Sequence, residues 1–274
     1  MRPTQEIEAR ATLAAARWVA RAVNASGMRW AIALVLSSAA VNAESPGTPF
    51  PVPRLGDPAW QVVHFPKIAR HTHYEVVDAP DAVGRRAVRS RAECSASGLM
   101  VSLEGADLAA GPRLSWRWRV LEPLANKGER TKSGDDFAAR VYVMFTFEPA
   151  HATLWQRATR RAATLLFGER TPGVALDFVW ASREPVGADW PSPYTEEVHV
   201  VVLQTGAAPS SDWVREEVDL KAEFQHAFGR EAPPPSGLAL MTDSDGVCAV
   251  ASAEFADFEL LRASEIGIAA PEVQ

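Results

Sequence analysis

Residues 134–147, Gly-Asp-Asp-Phe-Ala-Ala-Arg-Val-Tyr-Val-Met-Phe-Thr-Phe, decide how the rest of the chain is interpreted. They predict an acidic loop, Gly134-Asp135-Asp136, that leads directly into a long strand. Side chains alternate across a strand, so every second residue from Ala139 to Phe147 falls in one apolar row. The opposite row contains Arg140 and Tyr142. One side of this strand therefore suits a hydrophobic core, and the other carries a guanidinium and a phenol.

A second stretch, 113–120 (Arg-Leu-Ser-Trp-Arg-Trp-Arg-Val), has the same design. Its apolar row includes Trp116 and Trp118, and its opposite row includes Arg117 and Arg119. Further short strand candidates are separated by Gly, Pro, Asp and Ser, which is typical of an all-β sandwich or barrel. We expect a jelly-roll-like antiparallel β-sandwich. The other strand candidates are 60–65, 72–78, 86–94, 99–103, 174–180, 198–204, 213–220, 238–242 and 253–261.

Two segments interrupt the strand pattern. Apolar residues recur at helical spacing from Leu154 to Leu166, which predicts one inserted amphipathic helix that docks on the domain or lies on a membrane surface. A shorter helix is expected at 222–228, ending at Gly229. The Pro- and Trp-containing stretch 184–194 is interpreted as a loop.

The first 43 residues predict export. A short basic start at Met28, an apolar run and a small-residue cleavage site form a secretory signal. Either translation begins at Met28 itself, or the basic leading region is unusually long. A retained membrane anchor is the alternative. We expect 1–43 to be the signal region, 44–58 a linker, 59–263 one β-sandwich domain and 264–274 a tail, in a protein exported to the periplasm.

Charge and missing motifs exclude several functions. Residues 1–43 hold five arginines and two glutamates, so the remainder has 23 basic and 32 acidic residues and a net charge of −9. That balance argues against nucleic-acid binding, which needs a basic surface. No GxGxxG, P-loop, HExxH or GxSxG motif occurs. Cys94 and Cys248 either pair, as an oxidising compartment allows, or remain buried thiols.

The polar rows supply the candidate ligand site. If the strands are neighbours, arginines, a phenol and carboxylates converge on one sheet face, and such a face suits an anionic or polyhydroxylated ligand. The alternative is an Arg–Asp network that is satisfied internally under a covering loop. The candidate residues are Arg117, Arg119, Arg140, Tyr142, Asp135, Asp136 and Asp177.

Two groups are metal candidates. The segment from Asp243 to Asp245 resembles the beginning of a calcium-binding loop, but the distal glutamate of an EF-hand is missing. Hydrogen bonding within a turn explains the same residues. His71, His73 and Glu75 offer metal-ligand types, but an exposed edge strand that carries polar residues is the favoured explanation. A weak structural calcium site is the one cofactor predicted.

Five ordered motifs carry a family resemblance. The chain resembles an exported bacterial family known only as domain of unknown function number 3047, from about Trp60 to Leu261. The resemblance implies a jelly-roll-like sandwich without an assigned activity. The chain departs from the family pattern at 246–248 and 255–258. The motifs are 95–98 (SASG), 114–118 (LSWRW), 132–143 (KSGDDFAARVYV), 178–180 (FVW) and 239–245 (ALMTDSD).

Three functions remain open. The first is a non-catalytic exported sandwich that binds a glycan or another polar ligand. The second is a polysaccharide-degrading lyase or hydrolase, with Tyr142 or an aspartate as base, but no acid/base pair stands at readable spacing. The third is an envelope scaffold that meets a protein partner through the predicted helix at 154–166.

Overall fold

The computed structural model describes residues 52–65, 67–151 and 173–261. The predicted signal region, the inserted helix at 154–166 and the tail at 264–274 lie outside these described residues, so each stays a prediction. Within the described ranges, no helix is long and apolar enough to cross a membrane.

One layer of the fold is a seven-stranded sheet with the strand order β1-β4-β11-β6-β7-β9-β8. Its strands are β1 (Gln61–Val63), β4 (Gly98–Ser102), β6 (Ala139–Phe145), β7 (Ala175–Ala181), β8 (Asp189–Pro191), β9 (Val198–Thr205) and β11 (Pro235–Met241).

The second layer is a five-stranded sheet with the order β10-β5-β12-β3-β2. Its strands are β2 (His73–Asp78), β3 (Arg86–Glu93), β5 (Arg113–Glu122), β10 (Val214–Asp219) and β12 (Val250–Leu261). Together the two sheets confirm the predicted β-sandwich.

The core lies between the sheets, where the apolar rows of β5 and β6 meet. Trp116 and Trp118 of β5 are fully buried and stand edge to face, with ring centroids 5.5 Å apart. Trp118 also contacts Trp180 of β7, with ring centroids at 5.8 Å. Each buried indole removes about 150–250 Å² from water, so this aromatic group is a large share of the apolar stabilisation.

The alternation predicted for β6 is confirmed, but its bounds are shorter than expected. Val141, Val143 and Phe145 are fully buried in the core between the sheets. Residues 134–136 form a loop, as predicted, and the strand begins at Ala139 and ends at Phe145 rather than at residue 147. Asp135 and Asp136 lie in the loop before the strand. From there Asp135 pairs with Arg140, and Asp136 accepts from the amides of Gly246 and Val247.

Two features differ from the sequence prediction. The strands β7 and β9 pair in parallel, with Asp177 opposite Val200, whereas an antiparallel sandwich was expected. The reason lies in the connection between them, which was interpreted as a loop and which contains the edge strand β8. A parallel pair needs such a crossover, while a hairpin does not.

One helix, α1 (Leu220–Phe228), follows β10 directly. Asp219 is its N-cap, and its carboxylate accepts hydrogen bonds from the amides of Lys221 and Ala222, each at 3.0 Å. Gly229 ends the helix in the left-handed conformation, as predicted. Phe224 fixes the helix to the sandwich, because its ring packs on that of Phe145 at 4.7 Å.

Cys94 and Cys248 form a disulfide across 154 residues of sequence. This bond joins the turn after β3 to the loop that precedes β12. Close by, the Ser244 amide donates to the carbonyl of Ser95 at 3.0 Å. The bond therefore anchors the acidic loop at 243–248 to the five-stranded sheet.

We expect the double variant Cys94→Ser/Cys248→Ser to lose about 2–5 kcal/mol of unfolding free energy, because a long closed loop strongly restricts the unfolded chain. Urea unfolding measures the loss. Val83→Ala serves as the control, since Val83 is 86% exposed and should change stability by less than about 0.5 kcal/mol. Equal unfolding midpoints for the double variant and the wild type would contradict the prediction.

Candidate functional site

Arg140 stands at the centre of the polar residues that the sequence singled out. It projects from β6 on the outer side of the seven-stranded sheet, next to Tyr142 in the same row. Asp177 lies directly opposite Tyr142 on β7, so the predicted approach of these three side chains is confirmed. Only 3% of the Arg140 side chain is exposed.

All five N–H groups of the Arg140 guanidinium are paired. Nε donates to Asp177 at 3.1 Å, and one terminal nitrogen donates to the Asp243 carboxylate at 2.9 Å and to the Asp135 carbonyl at 3.1 Å. The other terminal nitrogen donates to the Asp135 carboxylate at 3.3 Å and to Asp177. We call Arg140, Asp135, Asp177 and Asp243 the hub.

Two aromatic rings enclose this guanidinium. Its central carbon lies 4.8 Å from the ring centroid of Phe137 and 5.1 Å from that of Tyr142. The Tyr142 hydroxyl is hydrogen-bonded to Asp177, which already pairs with Arg140. The hub is therefore closed to water by rings, and cation–π contact adds to its ion pairs.

The hub holds two loops together. Phe137 donates its amide to the Asp243 carboxylate at 3.1 Å, and Asp243 donates its own amide to the Phe137 carbonyl at 3.2 Å. Asp136 accepts from the amides of Gly246 at 3.3 Å and Val247 at 2.6 Å. The acidic residues that precede β6 thus fasten the loop that follows β11.

Sequence reasoning missed two residues that extend this arrangement. Asn126 is buried, and its side-chain amide donates to the carbonyls of Gly134 at 2.5 Å and Asp136 at 3.1 Å. Glu129 is also buried, and its carboxylate accepts from the amides of Ser182, Arg183 and Glu184. Neither role could be inferred locally, because Asn126 holds backbone 8 and 10 residues away and Glu129 holds backbone 53 to 55 residues away.

Burial dominates the electrostatics of the hub. It raises the pKa of Asp135 to about 6, against the opposing effect of Arg140. Burial likewise raises the pKa values of Asp136, Asp177 and Asp243, although Arg140 acts to lower all three. Three carboxylates, those of Asp135, Asp177 and Asp243, pair with one guanidinium, and the carboxylate of Asp136 lies nearby, so negative charge is in excess here.

The expected convergence of Arg117 and Arg119 with Arg140 is wrong. Arg117 pairs with Asp257, its Nε 2.7 Å from the carboxylate, and Arg119 pairs with Glu254 at 2.6 Å and stacks on Trp213. These contacts lie on the outer side of the five-stranded sheet. Because β5 and β6 belong to different sheets and both turn their apolar rows inward, their arginine rows point away from each other.

The predicted calcium residues lie beside the hub. Asp136, Asp243 and Asp245 each offer one oxygen, and the three atoms lie within 4.8 Å of one another. Asp243 accepts from Arg140 and Phe137, which lie more than 100 residues away in sequence, so these contacts are long-range and not those of a local turn. Calcium here stays a prediction. The histidine candidates differ, since His73 and Glu75 lie exposed on β2 at the edge of its sheet, whereas His71 precedes that strand and stacks on His64.

An exposed surface lies next to the hub, and sequence reasoning missed it. Tyr194 is 62% exposed, yet its hydroxyl donates to the Lys132 carbonyl at 2.6 Å. The Lys132 ammonium lies 5.7 Å from the centroid of the Tyr194 ring. Burial and then the charges of Asp135 and Asp245 raise the pKa of Tyr194. We call Tyr194, Lys132 and the exposed Asp245 the rim.

The two packed sheets define an all-β sandwich protein with a covered polar centre on one outer face. Within this class, the chain belongs to the family described as "Protein of unknown function (DUF3047)", which matches residues 58–259. The match confirms the resemblance inferred from the ordered motifs. No curated protein matches the chain in sequence.

Solved structures with a similar arrangement include a family 11 carbohydrate-binding module from Clostridium thermocellum in complex with a mixed-linked tetrasaccharide. It is 9% identical, with a TM-score of 0.38, over 76% of this chain and 91% of that one. The xyloglucanase domain of NopAA from Sinorhizobium fredii is also 9% identical, with a TM-score of 0.36, over 74% and 92%. The K2 cleaved adhesin domain of Lys-gingipain is 11% identical, with a TM-score of 0.29, over 73% and 88%.

We expect Arg140→Met to cost about 3–5 kcal/mol of unfolding free energy, because Asp177 and Asp243 would remain buried without their cation. Denaturant unfolding measures the cost. Arg91→Met is the matched control, since Arg91 is 44% exposed and its partners Glu93 and Glu122 are exposed, so about 0–1 kcal/mol is expected. Equal losses in both variants would refute a structural role for the hub.

The raised carboxylate pKa values predict the sign of a pH dependence. The hub carboxylates bind more protons in the folded chain than in the unfolded chain. Their contribution to stability is therefore greatest below the unfolded carboxylate pKa of about 3.9 and is lost as pH rises through 6. Unfolding free energy, measured from pH 4 to pH 7, should fall less in Asp135→Asn, by on the order of 2 kcal/mol. A wild-type curve no steeper than that of the variant would be the contrary result.

Proposed function

We propose that this protein is an exported, non-catalytic β-sandwich that binds a glycan or another polar ligand at the rim. The hub does not contact the ligand in this proposal. Its guanidinium is 3% exposed and has donated every N–H, so it has no donor left for a ligand. Arg140 and its carboxylates instead position the loops that carry the rim.

The position of Tyr194 is the observation that carries this proposal. A large aromatic ring exposed to water is usually mobile, but this ring is fixed by its own hydroxyl to the backbone of Lys132. A fixed ring loses little conformational entropy when a ligand stacks on it. The apolar face of a sugar ring is a suitable partner for such a surface.

Polar groups of both signs surround the ring. Lys132 offers N–H donors, and Asp245 offers carboxylate acceptors, which together match the hydroxyl groups of a sugar. Asp245 belongs to the loop that the hub and the disulfide restrain, and Lys132 is two residues from Gly134, whose carbonyl accepts from Asn126. The polar groups of the rim are therefore anchored on both sides.

The disulfide supports the export part of the proposal. Disulfides form and persist in oxidising compartments such as the periplasm, and they are rare in the cytosol. The predicted signal at 1–43 points the same way. Measuring the mass of the protein recovered from the periplasm would establish both cleavage and location.

The alternative of a polysaccharide-degrading enzyme is less well supported. Its candidate base, Tyr142, is held against Asp177, and burial raises its pKa well above the ordinary value. A phenol held in this protonated state is a poor base at neutral pH. Asp177 is fully buried, so it has no contact with a ligand on the surface.

A glycan array followed by calorimetric titration tests the proposed binding. We expect the wild type to bind at least one polysaccharide. Tyr194→Ala should bind it at least about tenfold more weakly, because the variant lacks the ring on which the sugar stacks. Tyr194→Phe keeps the ring and removes its anchor, so a smaller loss is expected. Val83→Ala, a substitution near Asp257 on the other sheet, should bind like the wild type.

The opposing outcomes are distinct. Failure of the wild type to bind any glycan, or equal affinity in Tyr194→Ala, would reject the rim as the site. Release of reducing ends or unsaturated sugars from a polyuronate panel would reject the non-catalytic assignment and favour the enzyme.

A further inference from the structure

Two cation–aromatic pairs join the same two segments of the chain at the rim. Arg130 lies over Trp190, with its guanidinium carbon 4.6 Å from the centroid of that ring. Two residues later, the ammonium of Lys132 lies 5.7 Å from the centroid of the Tyr194 ring. Residues 128–134 thus supply both cations, and residues 182–194 supply both rings. We call Arg130, Lys132, Trp190 and Tyr194 the cationic strip.

Polar contacts hold the two segments of the strip together. Glu129 is only 3% exposed, and its carboxylate accepts hydrogen bonds from the three successive amides of residues 182–184, at 2.5, 3.2 and 3.0 Å. At the other end, the Tyr194 hydroxyl donates to the Lys132 carbonyl at 2.6 Å. The backbone that carries both cations is therefore fixed before any ligand arrives.

The burial of Glu129 leaves the outer side of its loop positively charged. Between residues 127 and 132, the exposed charged side chains are those of Lys127, Arg130 and Lys132. The one acidic residue of this stretch is Glu129, whose carboxylate is used by backbone amides. Arg183 on the facing segment is exposed as well. A chain with a net charge of −6 at pH 7 thus presents a locally basic loop, which attracts anions.

Arg130 keeps hydrogen-bond donors for a ligand. Its side chain is 49% exposed, and one terminal nitrogen donates to the carboxylate of Glu184 at 2.6 Å. Of the residues that the structure describes, none accepts from its Nε or from its other terminal nitrogen. Arginine can hold a carboxylate through two parallel N–H bonds, so Glu184 uses only part of this capacity.

The strip can engage more than one acidic group of a polymer. Arg130 and Lys132 are two residues apart, so their Cα atoms lie at most about 7 Å from each other. Within the described part of the chain, the Lys132 ammonium forms no ion pair. Tyr194 adds a ring for stacking, and the exposed Asp245 of the rim adds acceptors for hydroxyl groups, which acidic sugars also carry.

We propose that the ligand of the rim is an acidic polysaccharide, whose carboxylate groups pair with Arg130 and Lys132 while one of its sugar rings stacks on Tyr194. This specificity presupposes that the rim binds a glycan, as proposed above, and it narrows the ligand to one class. Glu184 competes with the ligand for Arg130.

Calorimetric titration with two matched polymers tests the charge preference. One ligand is a polyuronate, taken from a panel of polyuronates, and the other is the same polymer after its carboxyl groups have been reduced to alcohols. The wild type should bind the polyuronate at least about tenfold more tightly. Raising NaCl from 0.1 M to 1 M shortens the Debye length from about 10 Å to about 3 Å, so it should reduce this preference.

Substitutions on the strip should change the ratio of polyuronate affinity to neutral-polymer affinity. We expect Arg130→Gln and Lys132→Gln each to lower that ratio about fivefold or more, since each removes a charged donor. Lys132→Gln retains the carbonyl that holds Tyr194. Arg130→Lys keeps the charge without the planar fork and should be intermediate. Glu184→Gln should raise the ratio, because it removes the competing carboxylate.

Arg91→Gln is the matched control. Arg91 is 44% exposed and paired with Glu122, much as Arg130 is paired with Glu184, but it lies on the five-stranded sheet. This variant should keep the wild-type ratio. Unfolding midpoints without ligand show whether each variant is folded.

The contrary outcomes separate this inference from the function proposed above. Equal wild-type affinity for the two polymers, with binding lost in Tyr194→Ala, would overturn the acidic specificity and leave the glycan site standing. Wild-type ratios in Arg130→Gln and Lys132→Gln, or binding to no polyuronate of the panel, would overturn it too. Failure to bind any neutral glycan as well would reject both proposals.

Discussion

The burial of one guanidinium among three carboxylates is the constraint on which this side of the sandwich depends. Removing a charge from water costs several kcal/mol, and excellent geometry is needed to recover that cost. Arg140 meets the condition because its five N–H groups all find acceptors, two of them on Asp177 of the neighbouring strand. The remaining acceptors come from loops, which must therefore fold onto the sheet.

This constraint explains why the most prominent polar residues are not the proposed ligand contacts. Arg140, Asp177 and Asp243 are saturated by one another, and the loops they hold carry the accessible groups. Tyr194 and Lys132 are residues of ordinary appearance in the sequence, and Asp245 stands out there only as a possible calcium ligand. In this account, they become a binding surface because the hub fixes the backbone beneath them.

The sequence predicted the local parts of this arrangement well. Alternation along a strand has a period of two, so the inward rows of β5 and β6 and the outward position of Arg140 could be inferred from each segment alone. The Asp219 to Gly229 helix and the sandwich class rest on equally local signals. The satisfied Arg–Asp network, considered there as an alternative, describes the hub as the structure has it.

Properties that depend on strand neighbours could not be predicted in this way. No local sequence pattern indicates that β5 and β6 belong to different sheets. The assumption that these strands were neighbours placed Arg117 and Arg119 wrongly on the same sheet face as Arg140. The strand β8 has three residues and includes a proline, so it carries no alternation to detect. Tyr194 contacts Lys132 across 62 residues, a pairing that composition and spacing do not reveal.

Native-state hydrogen exchange tests the central claim most directly, namely that Arg140 holds the two acidic loops on the sheet. The amides of Phe137, Gly246 and Val247 donate to Asp243 and Asp136 and report on this contact. In Arg140→Met, these three amides should exchange at rates close to those of an unprotected loop, while Val88 and Ala253 in the five-stranded sheet remain protected. Retained protection at the three loop amides would contradict the account.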